Sequence, residues 1–199
     1  MAQVTGTKRA IFDAALELAA ERGISGTTMD DVAERAGVAK GSLYYNFASK
    51  DKIFEGLLSE GMAGLTEALR GAREGRHGWP AIEALVTTLL SRIAANTALA
   101  KVMAGDIFRT DRAWRETSFA FRHEALAEFA AAIEEAVPQD AGPAGMAGMT
   151  GLMASSVFGA TLMAGLEWLI FEPDRPQAEV VAAVLAKFSG RLNPTPDIR

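Results

Sequence analysis

The 199-residue chain is 49% hydrophobic and 23% charged, with a formal net charge of −5; that composition suits a soluble globular protein with one large or two small cores. It has no Cys, which excludes disulfides and thiolate metal sites and makes a cytoplasmic location the expectation. With only two His, far apart in sequence, no nucleophile–base pair and no metal cluster is visible, so neither an enzyme nor a bound metal or cofactor is expected.

The opening segment MAQVTGTKRA lacks the apolar run of a signal peptide. A first helix is predicted from Lys8 to Arg22, with Ile11, Ala14, Ala15, Leu18 and Ala19 as its buried stripe and Gly23 as its stop. Thr28 and Asp31 then fit the [ST]-x-x-[DE] capping box, so a second helix starts at about Thr28. Met29, Val32, Ala33 and Ala36 give it one apolar stripe, and Gly37 can take the left-handed conformation that ends it. A third helix runs from about Ala39 to Phe47. Ala33, Gly37, Val38 and Leu43 form A-x3-G-V-x4-L, in which a small Ala permits a close crossing, Gly a sharp reversal, and Val38 and Leu43 fill the wedge. This is the helix-turn-helix pattern. It leaves Lys40, Gly41, Ser42, Tyr44 and Tyr45 exposed on the third helix, with no acid between Ala39 and Phe47. Hydroxyls and a Lys on such a helix suit the major groove of a DNA duplex.

On these residues the run from Lys8 to Leu58 resembles the DNA-binding domain of the tetracycline repressor (TetR) family. The resemblance lies in a first helix, TT at a helix start, A-x3-G-V and then K-G-S-L-Y-Y-N-F-A-S-K-D. Its most diagnostic part is L-Y-x-x-F-x-S-K at Leu43, Tyr44, Phe47, Ser49 and Lys50. It covers about the first quarter of the chain. The resemblance implies an all-α fold with a helix-turn-helix DNA-binding domain over residues 1–55, a larger helical effector-binding and dimerisation domain over 56–192, and a tail over 193–199. It puts DNA contacts at Thr28, Lys40, Gly41, Ser42, Tyr44, Tyr45 and Lys50. The family default is a repressor that binds a palindromic operator as a homodimer and is released by a small-molecule effector. Activation, corepression and a helical protein-interaction module without DNA binding are the alternatives.

From Met1 to Glu55 there are seven Lys and Arg against eight Asp and Glu. So neutral a segment should hold random DNA weakly, since non-specific affinity scales with the phosphates neutralised. Specific recognition by two copies, spaced to successive grooves, is the expectation.

Ser49 is predicted to cap a fourth helix, on which Ile53, Phe54, Leu57, Leu58, Met62, Leu65 and Leu69 form a stripe reaching to about Arg73. Its length makes it the expected lever between the DNA-binding segment and the larger half of the chain. Gly71 to Gly78 reads as a loop. Further helices are predicted at Trp79–Ala94, Leu99–Phe108 and Thr110–Val137, the last with Phe119, His123, Leu126, Ala130 and Ile133 on one face, which aims His123 at apolar neighbours. From Ala141 to Leu166 there is no charge. Its Gly, Ser and Thr residues, and the lack of a Lys or Arg flank, favour a helix buried on most sides at a subunit interface over a membrane span. The last helix, from about Pro176 to Gly190, carries Val180, Val181, Val184, Leu185 and Phe188.

In the resembling family the last two long helices pair with their twofold mates, which puts the dimer interface at Leu152, Gly159, Leu162, Leu166, Val181, Val184 and Leu185. An apolar effector pocket is expected among the large, adaptable side chains of the larger half, with Met103, Phe119, His123, Met153, Met163 and Glu167 as candidates. His123 reads more readily as a hydrogen-bonded core residue than as a ligand contact, and Glu167 more readily as a rim acid at the dimer edge.

Overall fold

The computed structural model describes residues 6–106, 115–136 and 149–189. Among the described residues all regular structure is helical: α1 (Gly6–Arg22), α2 (Met29–Arg35), α3 (Lys40–Asn46), α4 (Lys50–Arg73), α5 (Gly78–Ala95), α6 (Thr97–Asp106), α7 (Arg115–Ala136), α8 (Thr150–Phe171) and α9 (Gln177–Ala186). The chain divides into two compact units, Met1–Met62 with Ala98–Ala120 and Ala63–Thr97 with Phe121–Arg199. The division falls inside α4, and α6 belongs with the first unit.

In the first unit, Ile11, Ala15 and Leu18 of α1, Val32 and Ala33 of α2, Leu43 of α3, and Ile53, Phe54, Leu57 and Leu58 of α4 form one core, joined by Val102 of α6. The predicted stripes of α1 and α4 are the buried ones. Removing each large aliphatic or aromatic side chain from water contributes about 1.5–3 kcal/mol, so this cluster is what fixes the short helices α2 and α3 in place. Phe12 and Phe47 meet with ring centroids 5.3 Å apart and planes tilted by 46°. On the outside, the Arg35 guanidinium donates to Glu17 at 3.2 Å and to Glu21 at 3.1 Å, tying α2 to α1. Its hydrogen bond and charge hold the Glu21 carboxyl below its usual pKa, and Glu21 in turn raises that of Arg35.

In the second unit α5, α8 and α9 pack on one another. Ile82, Leu85, Val86 and Leu90 of α5 are buried with Ala154, Val157, Phe158 and Thr161 of α8 and Val180, Val181, Val184 and Leu185 of α9. Gln177 pins the start of α9 to α5 by donating from Nε2 to the Thr87 carbonyl at 3.0 Å and to Ser91 Oγ at 2.9 Å. Trp168 Nε1 donates to the Arg175 carbonyl at 2.8 Å and closes the turn between α8 and α9.

One expectation for this unit is corrected. The buried face of α7 is Ala125, Phe129, Ala132 and Ile133, with Phe129 edge-on to Phe158 at 5.9 Å, and His123 is exposed rather than aimed at apolar neighbours. Alanines spread around α7 blur its apolar period, so of the predicted stripe Ile133 is buried, Leu126 and Ala130 are half-buried and His123 faces out. Helix α8 is long and apolar enough to cross a membrane by length and composition, yet one side of it forms core. Its other side is open: Leu152 is 70% exposed, Met163 64% and Phe171 69%.

Candidate nucleic-acid interface

The interface is built from the turn before α2, from α2 itself and from α3. Thr28 caps α2 with extended backbone; its hydroxyl accepts from the Asp31 N–H at 3.2 Å while the Thr28 N–H donates to Asp31 Oδ2 at 3.1 Å, completing the capping box. The hydroxyl proton also goes to Asp31 Oδ2, at 2.6 Å. That bond, with the nearby Arg22 guanidinium 2.9 Å away, holds the Asp31 carboxyl below its usual pKa despite some desolvation.

Gly37 ends α2 with φ +66, where a side chain would be strained. The Val38 N–H donates to the Ala33 carbonyl at 3.0 Å and the Gly37 N–H to Glu34 at 3.1 Å. These are the two bonds of a Schellman stop, and they turn the chain into α3. On α3, Leu43 is fully buried and anchors the helix, while Tyr44 is 53% and Tyr45 90% exposed. Lys40 and Gly41 are exposed beside them, and Ser42 is half-buried. The short helix therefore has one apolar anchor on its core side and phenol, backbone and ammonium groups on the other, the arrangement needed to lie in a major groove.

Lys40 Nζ lies 2.8 Å from Asp30 Oδ2 in an exposed pair, and the hydrogen bond and charge of Asp30 raise the Lys40 pKa. A phosphate oxygen can replace that carboxylate. Lys50 is differently placed: it is half-buried at the start of α4 and donates to the carbonyls of Ile24, Ser25 and Thr27 at 2.9, 3.4 and 2.8 Å. Six of the seven predicted contact residues thus lie on or at the ends of α2 and α3, and Lys50 is turned toward the loop behind them. Asp30 is a member of the site that the sequence pattern does not single out; it stands in the first turn of α2, where acids are ordinary.

The residues expected to line an effector pocket are divided between the two units. Met103 packs against the core of the first unit. His123, Met163 and Glu167 of the second unit are exposed and Met153 is half-buried. Phe119 lies outside the residues whose side chains are described. A shallow depression of the second unit is lined by Phe171–Pro176 and Glu179 and includes none of these candidates. Of the predicted dimer residues, Leu166, Val181, Val184 and Leu185 are buried in the chain's own core, Gly159 and Leu162 are half-buried and Leu152 is open.

Residues 11–57 match the family model described as bacterial regulatory proteins, tetR family. Among curated proteins, the HTH-type transcriptional repressor KstR2 of Rhodococcus jostii (strain RHA1) is 36% identical over 96 residues, which is 46% of this chain and 46% of that protein. The biofilm operon icaADBC HTH-type negative transcriptional regulator IcaR of Staphylococcus aureus is 48% identical over 48 residues, 24% of this chain and 26% of that protein. The matched stretches thus span about half and about a quarter of these relatives' lengths. Among solved structures, the fatty acid degradation regulator FadR from Bacillus halodurans superimposes with a TM-score of 0.78 at 20% identity, covering 96% of this chain and 98% of that one. The transcriptional regulator FadR from Bacillus subtilis in complex with stearoyl-CoA gives a TM-score of 0.74 at 21% identity over 89% and 95% of the two chains. Likeness at that identity shows a common fold.

Proposed function

Through residues 11–57 the chain belongs to the TetR family of bacterial regulatory proteins, and from that premise we propose that it is a DNA-binding transcription regulator, not an enzyme, and that it represses by occupying a palindromic operator as a homodimer. The observation that carries this reading is the division of α3, whose Leu43 is fully buried while Tyr44, Tyr45 and Lys40 stand clear of the core. A buried face there would have left nothing to enter a groove. Thr28, Gly41 and Ser42 supply short polar groups at the helix starts, suited to phosphate oxygens and base edges.

A twofold pair of such heads reaches successive major grooves about 34–36 Å apart, which is why a near-neutral head needs a partner to bind tightly. The open apolar side chains of α8, Leu152 and Met163, support pairing with a second copy. A largely apolar small-molecule effector relieves repression in this reading; the stearoyl-CoA held by a FadR of the same fold supports that chemical class. Couplings of about 1–3 kcal/mol would weaken operator binding about 5- to 150-fold.

Electrophoretic mobility shift on DNA flanking the protein's own coding region tests the core of the proposal. Tyr45→Ala and Lys40→Ala are expected to weaken the shift while leaving the oligomeric state by size-exclusion chromatography unchanged. Equal affinity of both variants and the parent chain would remove α3 from the interface.

A further inference from the structure

We infer that Lys50 is a positioning residue for DNA recognition rather than a phosphate contact: its ammonium closes the turn between α1 and α2 and thereby sets Thr28 and the start of α2. The inference deepens the DNA-binding reading and rests on it.

The turn itself creates the need for a donor. Between α1 and α2 the Gly23 carbonyl accepts from the Thr27 hydroxyl at 3.0 Å, that of Ile24 from the Thr27 N–H at 3.2 Å and that of Thr28 from the Val32 N–H at 3.1 Å, while Gly26 comes so close to the end of α1 that a Cβ there would stand 2.5 Å from the Arg22 carbonyl oxygen. Ile24 and Thr27 are nonetheless buried, at 5% and 1% exposure, and buried carbonyls require donors. An ammonium has three N–H groups and no acceptor. Lys50 directs them at the Ile24, Ser25 and Thr27 carbonyls, and Ser49 fixes its backbone by accepting the Lys52 N–H at 3.3 Å.

The bond to Thr27 matters most, because the Thr27 carbonyl and the Thr28 N–H belong to one peptide plane. Lys50 Nζ holds its oxygen at 2.8 Å, and Asp31 Oδ2 holds its N–H at 3.1 Å. The plane that presents the Thr28 side chain is therefore clamped at both ends. Turning the ammonium outward to a phosphate would take that donor from the Thr27 oxygen and leave the Ile24 oxygen only the Thr27 N–H. Lys40 has no such obligation, since its partner Asp30 is as exposed as itself.

The two roles separate experimentally on a duplex recovered from a random-sequence pool with the parent protein, titrated between about 50 and 200 mM salt. As a positioning residue, Lys50→Met lowers affinity about tenfold with an unchanged slope of log K against log salt, because the lost groups are hydrogen bonds within the protein. A lost phosphate contact would instead flatten that slope by about 0.9. Lys50→Arg discriminates further: a guanidinium keeps the charge, but its planar fork cannot converge on three carbonyls, so it should bind as poorly as Lys50→Met. Amide hydrogen exchange of the DNA-free protein supplies a readout independent of the duplex, with faster exchange over Thr27–Asp31 and unchanged protection over Ile53–Leu58 in Lys50→Met. Parent-like binding by Lys50→Arg, a flattened slope, unchanged exchange at Thr27–Asp31, or loss of protection throughout the first unit would each overturn the inference. Failure of the parent chain to retain any duplex would overturn the regulator reading instead, and the exchange result would still judge the clamp.

Discussion

At the scale of single residues, α3 separates stability from recognition. Leu43 is fully buried, so Leu43→Ala should destabilise the protein by about 2–5 kcal/mol in urea denaturation. Tyr45 is 90% exposed, so Tyr45→Ala should change stability by less than about 0.5 kcal/mol while its mobility shift weakens. At Gly37, where φ is +66, Gly37→Ala should cost about 1–2 kcal/mol from backbone strain alone. The turn at Gly37 and the anchor at Leu43 were legible in the sequence because each depends on neighbours within a few positions: Gly37 ends a stripe, and Leu43 sits at a fixed offset from it. Lys50 was not legible in the same way. Its acceptors lie 23 to 26 residues upstream, and a Lys in a first helical turn carries no local mark of turning inward.

At the scale of elements, α2 depends on its cap more than on its length. Seven residues are too few to hold a helix without packing and end groups, so Thr28→Ala should cost about 0.5–2 kcal/mol in thermal or urea unfolding. The acids that serve α2 give a pH dependence with a definite sign. The Thr28 hydroxyl and amide lower the folded pKa of Asp31, and Arg35 lowers that of Glu21. A depressed carboxyl adds stability that is fully present above its ordinary unfolded value and is lost as pH falls through the folded one. Urea midpoints should therefore decline as the pH drops below about 4, and Asp31→Asn should flatten that decline; an identical acid limb in the variant would rule out this origin. The helices α1, α2 and α4 could be placed in advance because capping residues and apolar periods agreed. For α7 and α8 they did not: seven of the 22 residues of α7 are alanines spread around it, and α8 is uncharged all round from Thr150 to Leu166, so periodicity could not say which side packs. Only the partners, Phe158 against Phe129 and α5 against α8, decide it.

For the whole molecule, the open side of α8 makes pairing testable without disturbing the core. Leu152 is 70% exposed, so Leu152→Glu should keep the helical circular dichroism signal, shift sedimentation toward a monomer and abolish operator binding. A variant that sediments and binds as the parent does would exclude this side of α8 from the interface. Leu166, Val181, Val184 and Leu185 are unsuitable for that test because each is buried within the chain. The two compact units interleave along the chain, since α6 returns to the first after an excursion of 35 residues, Ala63–Thr97. Composition shifts along a chain reveal contiguous segments and are blind to such a return.

The exposed Lys40–Asp30 pair, at 2.8 Å, bears on how the protein finds its target among a genome of wrong sites. A resident carboxylate occupies the very cation that a passing backbone would grip, so brief encounters release few counterions and end quickly. Asp30→Asn should lengthen dwell times on unrelated duplexes and blunt discrimination, trading fidelity for adhesion.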